Sequence, residues 1–316
     1  MNNKIRGYLL QWTEFSGVSL LDSVSANYHH WTQQQIEQAL QDGLIRVNDE
    51  TATVNCDLLP ADRVSLWLAD HEEGRTDTHW KLVWKTPELM AIHKPAPLPV
   101  SRTTRNLFDT LISHVRRATE YKSAHLLHRL DAETSGLILL SNYDHADRKW
   151  KKRIERLIRA KRYHAMVWGN PDWQEKTYQC FLAEKQQSVV RTQMHVVAED
   201  DEDCCKTPKL SRTHFKLLRQ YPGYALIECQ LLTGRKHQLR AQLAHLGHPI
   251  IGDKIYSYQG HYYLKRLQQP LTDNDFRQLG AEHHLLHAYQ LELDTGKEQV
   301  MLTDDDYPQA WRSYLI

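Results

Sequence analysis

Residues 128–141 read HRLDAETSGLILLS. One carboxylate, Asp131, follows an arginine and a leucine, and a Thr-Ser-Gly turn then opens into an unbroken apolar run. A short apolar run bounded by turn residues reads as a strand buried on both faces. The carboxylate therefore sits at the mouth of a core strand, a place where an acid has to be matched by a cation or kept in a cleft.

The surroundings build a mixed domain. WKLVWKTPELMAIHKPAPLPVS (80–101) gives two strand-like pieces, followed by a segment with Pro95, Pro97 and Pro99 that cannot continue a ladder. NLFDTLISHVRRA (106–118) has the spacing of an amphipathic helix, and the basic stretch over 145–160 reads as another. RYHAMVWG (162–169) alternates as a strand, further strands are expected within 172–198, and residues 213–232 form a hairpin turning at Pro222-Gly223. KHQLRAQLAHLGH (236–248) is a helix and HHLLHAYQLEL (283–293) a returning strand. Strands and helices alternate without regular βαβ spacing. The fold class is therefore α+β: a mixed, largely antiparallel central sheet with flanking helices.

A smaller unit precedes it. SLLDSVSANY (19–28) is a short helix. TQQQIEQALQDG (32–43) is a second, with Thr32 as N-cap and Gly43 as stop. LIRVND (44–49) is a strand ending in a turn at Asn48-Asp49, and residues 56–68 supply a turn at Pro60-Ala61-Asp62 and a last strand. ADHEEGRTDTH (69–79) is polar and aperiodic, as a linker is. The expected domains are 1–70, a linker at 71–79, and 80–316.

Bulk properties narrow the class. A composition 41% hydrophobic and 25% charged is that of a globular protein. No apolar run approaches the roughly 20 residues of a membrane helix. MNNKIRGYLLQWTE lacks the apolar core of a secretory signal. Five cysteines without regular spacing argue against a disulfide framework, so a cytoplasmic location is expected. The net charge of +1 hides a basic run at 147–164 and acidic runs at 199–203 and 304–306. The basic run reads either as a solvated helix face or as an electrostatic footprint for nucleic acid.

Three segments taken together, HRLDAETSGLILLS, KRYHAMVWG (161–169) and LLTGRKHQLRAQLAHLGHPIIGDKIY (231–256), resemble the pseudouridine synthases of the RluA type. IHKPAPLPV (92–100) and LLHAYQLEL (285–293) extend the resemblance. It implies isomerisation of uridine in RNA to pseudouridine without cofactor or metal. It places catalysis on Asp131, with Tyr163 and Arg240 beside it. Asp131 would attack C1′ of the sugar or remove the C2′ proton, and either role requires it ionised. Arg240 is the expected counter-charge, since a guanidinium stays protonated and pairs in bidentate fashion. Tyr163 offers a ring for the uracil first and proton transfer second. The target base has to leave its stack. Arg129 and His128, together with Lys161, Arg235 and His237, are the expected RNA-binding residues.

Residues 36–49 and 58–64 resemble the S4 RNA-binding module, which adds Arg46 to the RNA-binding set. The partner is RNA, ribosomal RNA in preference to tRNA, and the protein is expected to be a monomer. Alternatives are a tRNA enzyme and a silent RNA-binding protein on the same scaffold. His283 and His287 stand at a metal-ligand spacing but fall on a strand-like segment without the H-E-x-x-H pattern. Glu133 is a weak second carboxylate for a glycosidase. The resemblance departs at Pro97, where the family carries glycine. The acidic run at 199–203 would repel phosphate and is expected away from the active cleft.

Overall fold

The structure, a computed structural model, describes residues 4–28, 31–103 and 106–315; the remaining residues of the expected domains lie outside it. The chain divides into two compact units, Met1–Arg75 with Ser101–Thr110, and Thr76–Val100 with Leu111–Ile316.

The first unit contains β1 (Lys4–Thr13), α1 (Leu20–Asn27), α2 (Gln33–Gln41), β2 (Ile45–Val47), β3 (Glu50–Thr51) and β4 (Arg63–Glu72). Its four strands lie in the order β1-β4-β2-β3. Thr32 caps α2 in a capping box with Gln35, and Gly43 ends it with φ +68°. Asn48 and Asp49 both adopt positive φ, the backbone of a two-residue hairpin turn. Leu20, Val24, Ile36 and Leu40 from the helices close on Ile45, Val64 and Leu66 of the sheet.

Two features escape the sequence reading. β1 is absent from it, and β4 runs to Glu72, into the expected linker. Both follow from one pairing, since β1 and β4 stay in antiparallel register from Thr13↔Arg63 to Lys4↔Glu72. Backbone hydrogen bonds hold this ribbon where side-chain periodicity is weak. Residues 101–110 also join the first unit, so the expected continuous domain 80–316 is interrupted. The Glu73 carboxylate accepts from the amides of Leu107, Phe108 and Asp109 at 2.9, 2.6 and 2.6 Å. Leu107 lies in that unit's core.

The second unit contains β5 (Lys81–Lys85), β6 (Leu89–Lys94), α3 (Leu111–Ala118), β7 (His125–Leu126), β8 (Ser135–Ser141), α4 (Asp144–Lys151), α5 (Ile154–Leu157), β9 (Ile158–Trp168), β10 (Glu175–Ala183), β11 (His195–Val197), β12 (Lys209–Tyr221), β13 (Tyr224–Leu231), α6 (Gln238–His245), α7 (His261–Gln268), α8 (Asp273–Leu279), β14 (Leu286–Asp294) and β15 (Gln299–Thr303). Its sheet runs β11-β10-β12-β13-β9-β14-β8-β6-β5, with β15 on β14 and β7 on β8. The described pairs are antiparallel except β14 with β8. This is the mixed, largely antiparallel sheet that the pattern implies.

All seven residues of β8 are buried, because both faces of the sheet are covered. Ile138 and Leu140 share one core with Tyr163, Ala165, Leu239 and Leu243. Leu137 and Leu139 share the other with Trp150, Leu157, Leu291 and Leu293. The basic stretch thus packs on the face opposite Tyr163. The helix expected over 145–160 is interrupted after α4 and ends at Leu157. Ile158 and Ala160 pair instead with Leu293 and Glu292 of β14. Several of its cations face carboxylates: Lys149 with Glu88 at 2.6 Å, Lys151 with Asp147 at 2.9 Å, Arg159 with Asp294 at 2.7 Å.

The parallel pair places Gly136 against Ala288. Gly136 has φ +104°, and an added Cβ would lie 2.3 Å from the Ala288 carbonyl oxygen. Gly136→Ala is expected to lower the free energy of unfolding by about 4 kcal/mol or more, measured by urea denaturation, because backbone atoms of a central strand would have to separate.

Candidate active site

The loop before β8 is fixed from beneath by a buried lysine. Lys94, at the end of β6, is fully buried. Its Nζ donates to the carbonyls of Pro95, Leu98 and Ala132 at 2.9, 2.9 and 3.0 Å. Three acceptors match the three protons of an ammonium. Burial pushes its pKa down to about 7, against the facing charges of Asp131, Asp77 and Glu133, which hold it up. Thr134 donates its amide to the Asp131 carbonyl at 3.1 Å, closing the turn.

Asp131 meets Arg240 of α6. Arg240 Nη1 donates to Asp131 Oδ2 at 2.8 Å, while Nε and Nη2 form a bidentate pair with Asp253 at 2.6 and 2.9 Å. Asp253 is fully buried and also accepts from the amides of Ile255 and Tyr256 at 2.9 and 3.0 Å. The Tyr256 ring centroid lies 5.2 Å from the guanidinium carbon. Asp131 keeps a side-chain exposure of 30%, so part of it stays open to solvent.

Burial works against ionisation of Asp131, but the Arg240 guanidinium opposes it through its charge and its hydrogen bond and holds the carboxyl well below the usual carboxylate range. Burial also lowers His237 to about 4 and His284 to about 3, so both rings are neutral at pH 7. Arg240 is therefore the counter-charge that acts there. Tyr163 lies on the same face of the sheet in the apolar cluster with Leu130 and Leu239. Burial and the Asp131 charge both push its hydroxyl upward, so it stays a phenol. That favours stacking over proton acceptance.

The remaining expected site residues divide into groups. Arg129 is exposed, and no carboxylate pairs with it among the described residues. Lys161 lies against Gly234, partly buried, its pKa lowered by burial. Arg235 is exposed and donates to the Leu210 carbonyl at 3.1 Å. His237 begins α6 in the left-handed region, its Nδ1 3.1 Å from the Tyr256 hydroxyl and its Nε2 3.9 Å from Asp131. Arg46 belongs to the first unit, on β2. His128 differs from expectation: its Nε2 accepts the Leu139 amide at 3.0 Å, and burial pulls it down to about 3. It holds the loop to β8 rather than facing RNA. The acidic run at 199–203 folds back on Lys185, which pairs with Asp201 at 3.0 Å.

The alternatives lose their residues to structure. Glu133 pairs with Lys254 at 3.0 Å and Arg266 at 3.3 Å. Burial raises its pKa, but Lys254 and its neighbours outweigh that and keep it ionised, so it carries no proton for a glycosidic leaving group. His287 uses Nδ1 with Ser135 and Nε2 with the Asp304 carbonyl, each at 2.8 Å, which leaves no ligand nitrogen.

Sequence reasoning missed Asp253, Tyr256 and Lys94. Asp253 lay within the quoted GDKIY, and an arginine meant for a buried site signals a second carboxylate. Lys94→Met would strip three carbonyls of their donor and release the Asp131 loop. The single-turnover rate is expected to fall about 100-fold, as for a misplacement near 1 Å, in rapid-quench measurements.

Comparison with known proteins bears on this geometry. The family described as RNA pseudouridylate synthase matches residues 88–245. Ribosomal large subunit pseudouridine synthase D of Nitrosomonas europaea is 24% identical over 309 residues, 95% of this chain and 84% of that protein. The mitochondrial tRNA pseudouridine(32) synthase of Saccharomyces cerevisiae is 27% identical over 240 residues, 75% of this chain and half of the yeast protein's length. Human RNA Pseudouridylate Synthase Domain Containing 1 shares the fold, with TM-score 0.56 and 23% identity over 74% of this chain and 86% of that one. The motifs, the mixed sheet and the family match agree: this chain belongs to the RNA pseudouridylate synthase family.

Proposed function

We propose that the protein isomerises specific uridines of structured RNA, with large-subunit ribosomal RNA as substrate and Asp131 as the catalytic carboxylate. The observation that carries this is the shared guanidinium. Asp131 is paired through one oxygen by Arg240, whose other edge is occupied by Asp253. Two carboxylates against one cation leave Asp131 ionised without fully quenching its charge.

The reaction balances within the substrate. The N1–C1′ bond breaks with its electrons on uracil, the base turns, and C5 forms the new bond to C1′. The proton lost from C5 is matched by one gained at N1. Asp131 acts on the sugar, at C1′ or at the C2′ proton. Tyr163 supports the ring during its rotation. Arg129 and Lys161, cations without carboxylate partners among the described residues, suit the RNA phosphates or the space vacated by the flipped base. Ribosomal RNA is favoured because the Nitrosomonas relative aligns over 95% of this chain, the first unit included. A tRNA substrate is the second reading, favoured by the yeast relative.

Mapping pseudouridines in RNA from cells lacking the gene decides between the two substrates. Asp131→Asn is expected to lower turnover at least about 10⁴-fold in a tritium-release assay; turnover equal to wild type would refute the assignment. The pH profile carries a sign. Because Asp131 is depressed, its ionised form survives until pH falls through that low value. The profile of kcat/KM is expected to show no acid limb from Asp131 above about pH 4. In Arg240→Lys one ammonium replaces the fork. Asp131 then loses its partner, burial prevails, and the acid limb moves above about pH 4.

A further inference from the structure

The S4-like expectation rests on the second helix and the strand after it, yet α2 reads QQQIEQALQ and carries no cation, which leaves Arg46 of β2. The opposite side of the same unit is different. Alternation along β4 sends Val64, Leu66 and Leu68 into the core, and so turns Ser65, itself buried, and the half-exposed Trp67 to the other face. Register sets Leu9 opposite Trp67, Gln11 opposite Ser65, and Arg46 opposite Ser65 from the other side. Leu9, Gly43, Leu44, Arg46, Ser65 and Trp67 line a shallow concavity of about 370 Å³.

Leu9 and Trp67 are 43% and 42% exposed, an apolar floor left open to solvent. Gln11 Nε2 donates to Ser65 Oγ at 3.0 Å, a polar border. Thr51 stands opposite Arg46, so the facing positions on this side carry no acid, and Arg46 has no carboxylate partner among the described residues. The acid nearest in register, Glu50, stands opposite Val47 and so alternates to the other side of the ribbon, and Asp49 in the turn is taken by Arg63. An open aromatic ring, a free guanidinium one diagonal away and a polar border are the complement of one unpaired nucleobase and its phosphate. A protein partner would need more apolar area and would gain nothing from an unmatched cation.

We propose that this open sheet face binds single-stranded RNA, with Trp67 stacking one base and Arg46 holding the adjacent phosphate. The proposal rests on RNA being the substrate, and it joins Trp67 and the open sheet face to the Arg46 that the S4 resemblance offered.

The test uses the full chain with a single-stranded oligoribonucleotide of about 12 nucleotides carrying 4-thiouridine. A photocross-link at Trp67 is expected, absent with a fully paired duplex of the same sequence. Trp67→Leu, which keeps apolar area but removes the ring, should weaken binding about tenfold, and Trp67→Tyr should restore it. Arg46→Gln should lower the salt slope by about one. Wild-type affinity in a Trp67→Leu protein of unchanged melting temperature, with cross-links confined to the second unit, would overturn the proposal. Self-association lost on Trp67→Leu, with no cross-link there, would also overturn it. If Trp67→Leu does not fold, the cross-link and the Arg46→Gln slope still decide. Turnover on the same substrate RNA is read separately. Its absence would count against the proposed function, whereas turnover without a Trp67 cross-link would count only against this site.

Discussion

The catalytic unit turns on one guanidinium divided between two carboxylates. A buried arginine without a partner is intolerable, and one committed wholly to Asp131 would neutralise the group it is meant to support. Asp253 resolves both problems. It accepts from Nε and Nη2, fixes the side chain, and leaves Nη1 to donate to Asp131. The same carboxylate accepts two backbone amides from the turn that follows it, so α6, that turn and the Asp131 loop are joined in one network. A second ion cluster, Glu133 with Lys254 and Arg266, ties the loop to the turn again and to α7.

Much of this was legible. The apolar run of β8 announced a core strand, and the ordered motifs placed Asp131, Tyr163 and Arg240 together although 109 residues separate the first from the last. Illegible were features that depend on backbone pairing or on tertiary demand. β1 has modest periodicity and exists because β4 offers it a full register. Residues 101–110 read as part of the larger domain because nothing local reveals that Glu73 gathers their amides. His128 looked available because sequence does not show which ring nitrogen the fold has already used.

Charge was the weakest guide. The most basic stretch lies across the sheet from Tyr163, and several of its cations are matched by acids. The residues that set the electrostatics of the site are few, and each is defined by its neighbours. Lys94 counts for its three carbonyls, and His237 and His284 for being neutral.

The one parallel pairing of the sheet among the described residues has a consequence for how the molecule is made. β8, which begins just after Asp131, lies against β14, and the hydrogen bond from Ser135 to His287 spans 152 residues. A contact of that sequence separation forms late, because a long loop has to close before it gains anything. During synthesis the motif that carries Asp131 emerges well before the strand that completes its support. The loop that carries Asp131 therefore gains this support only once β14, 152 residues further along, has been made.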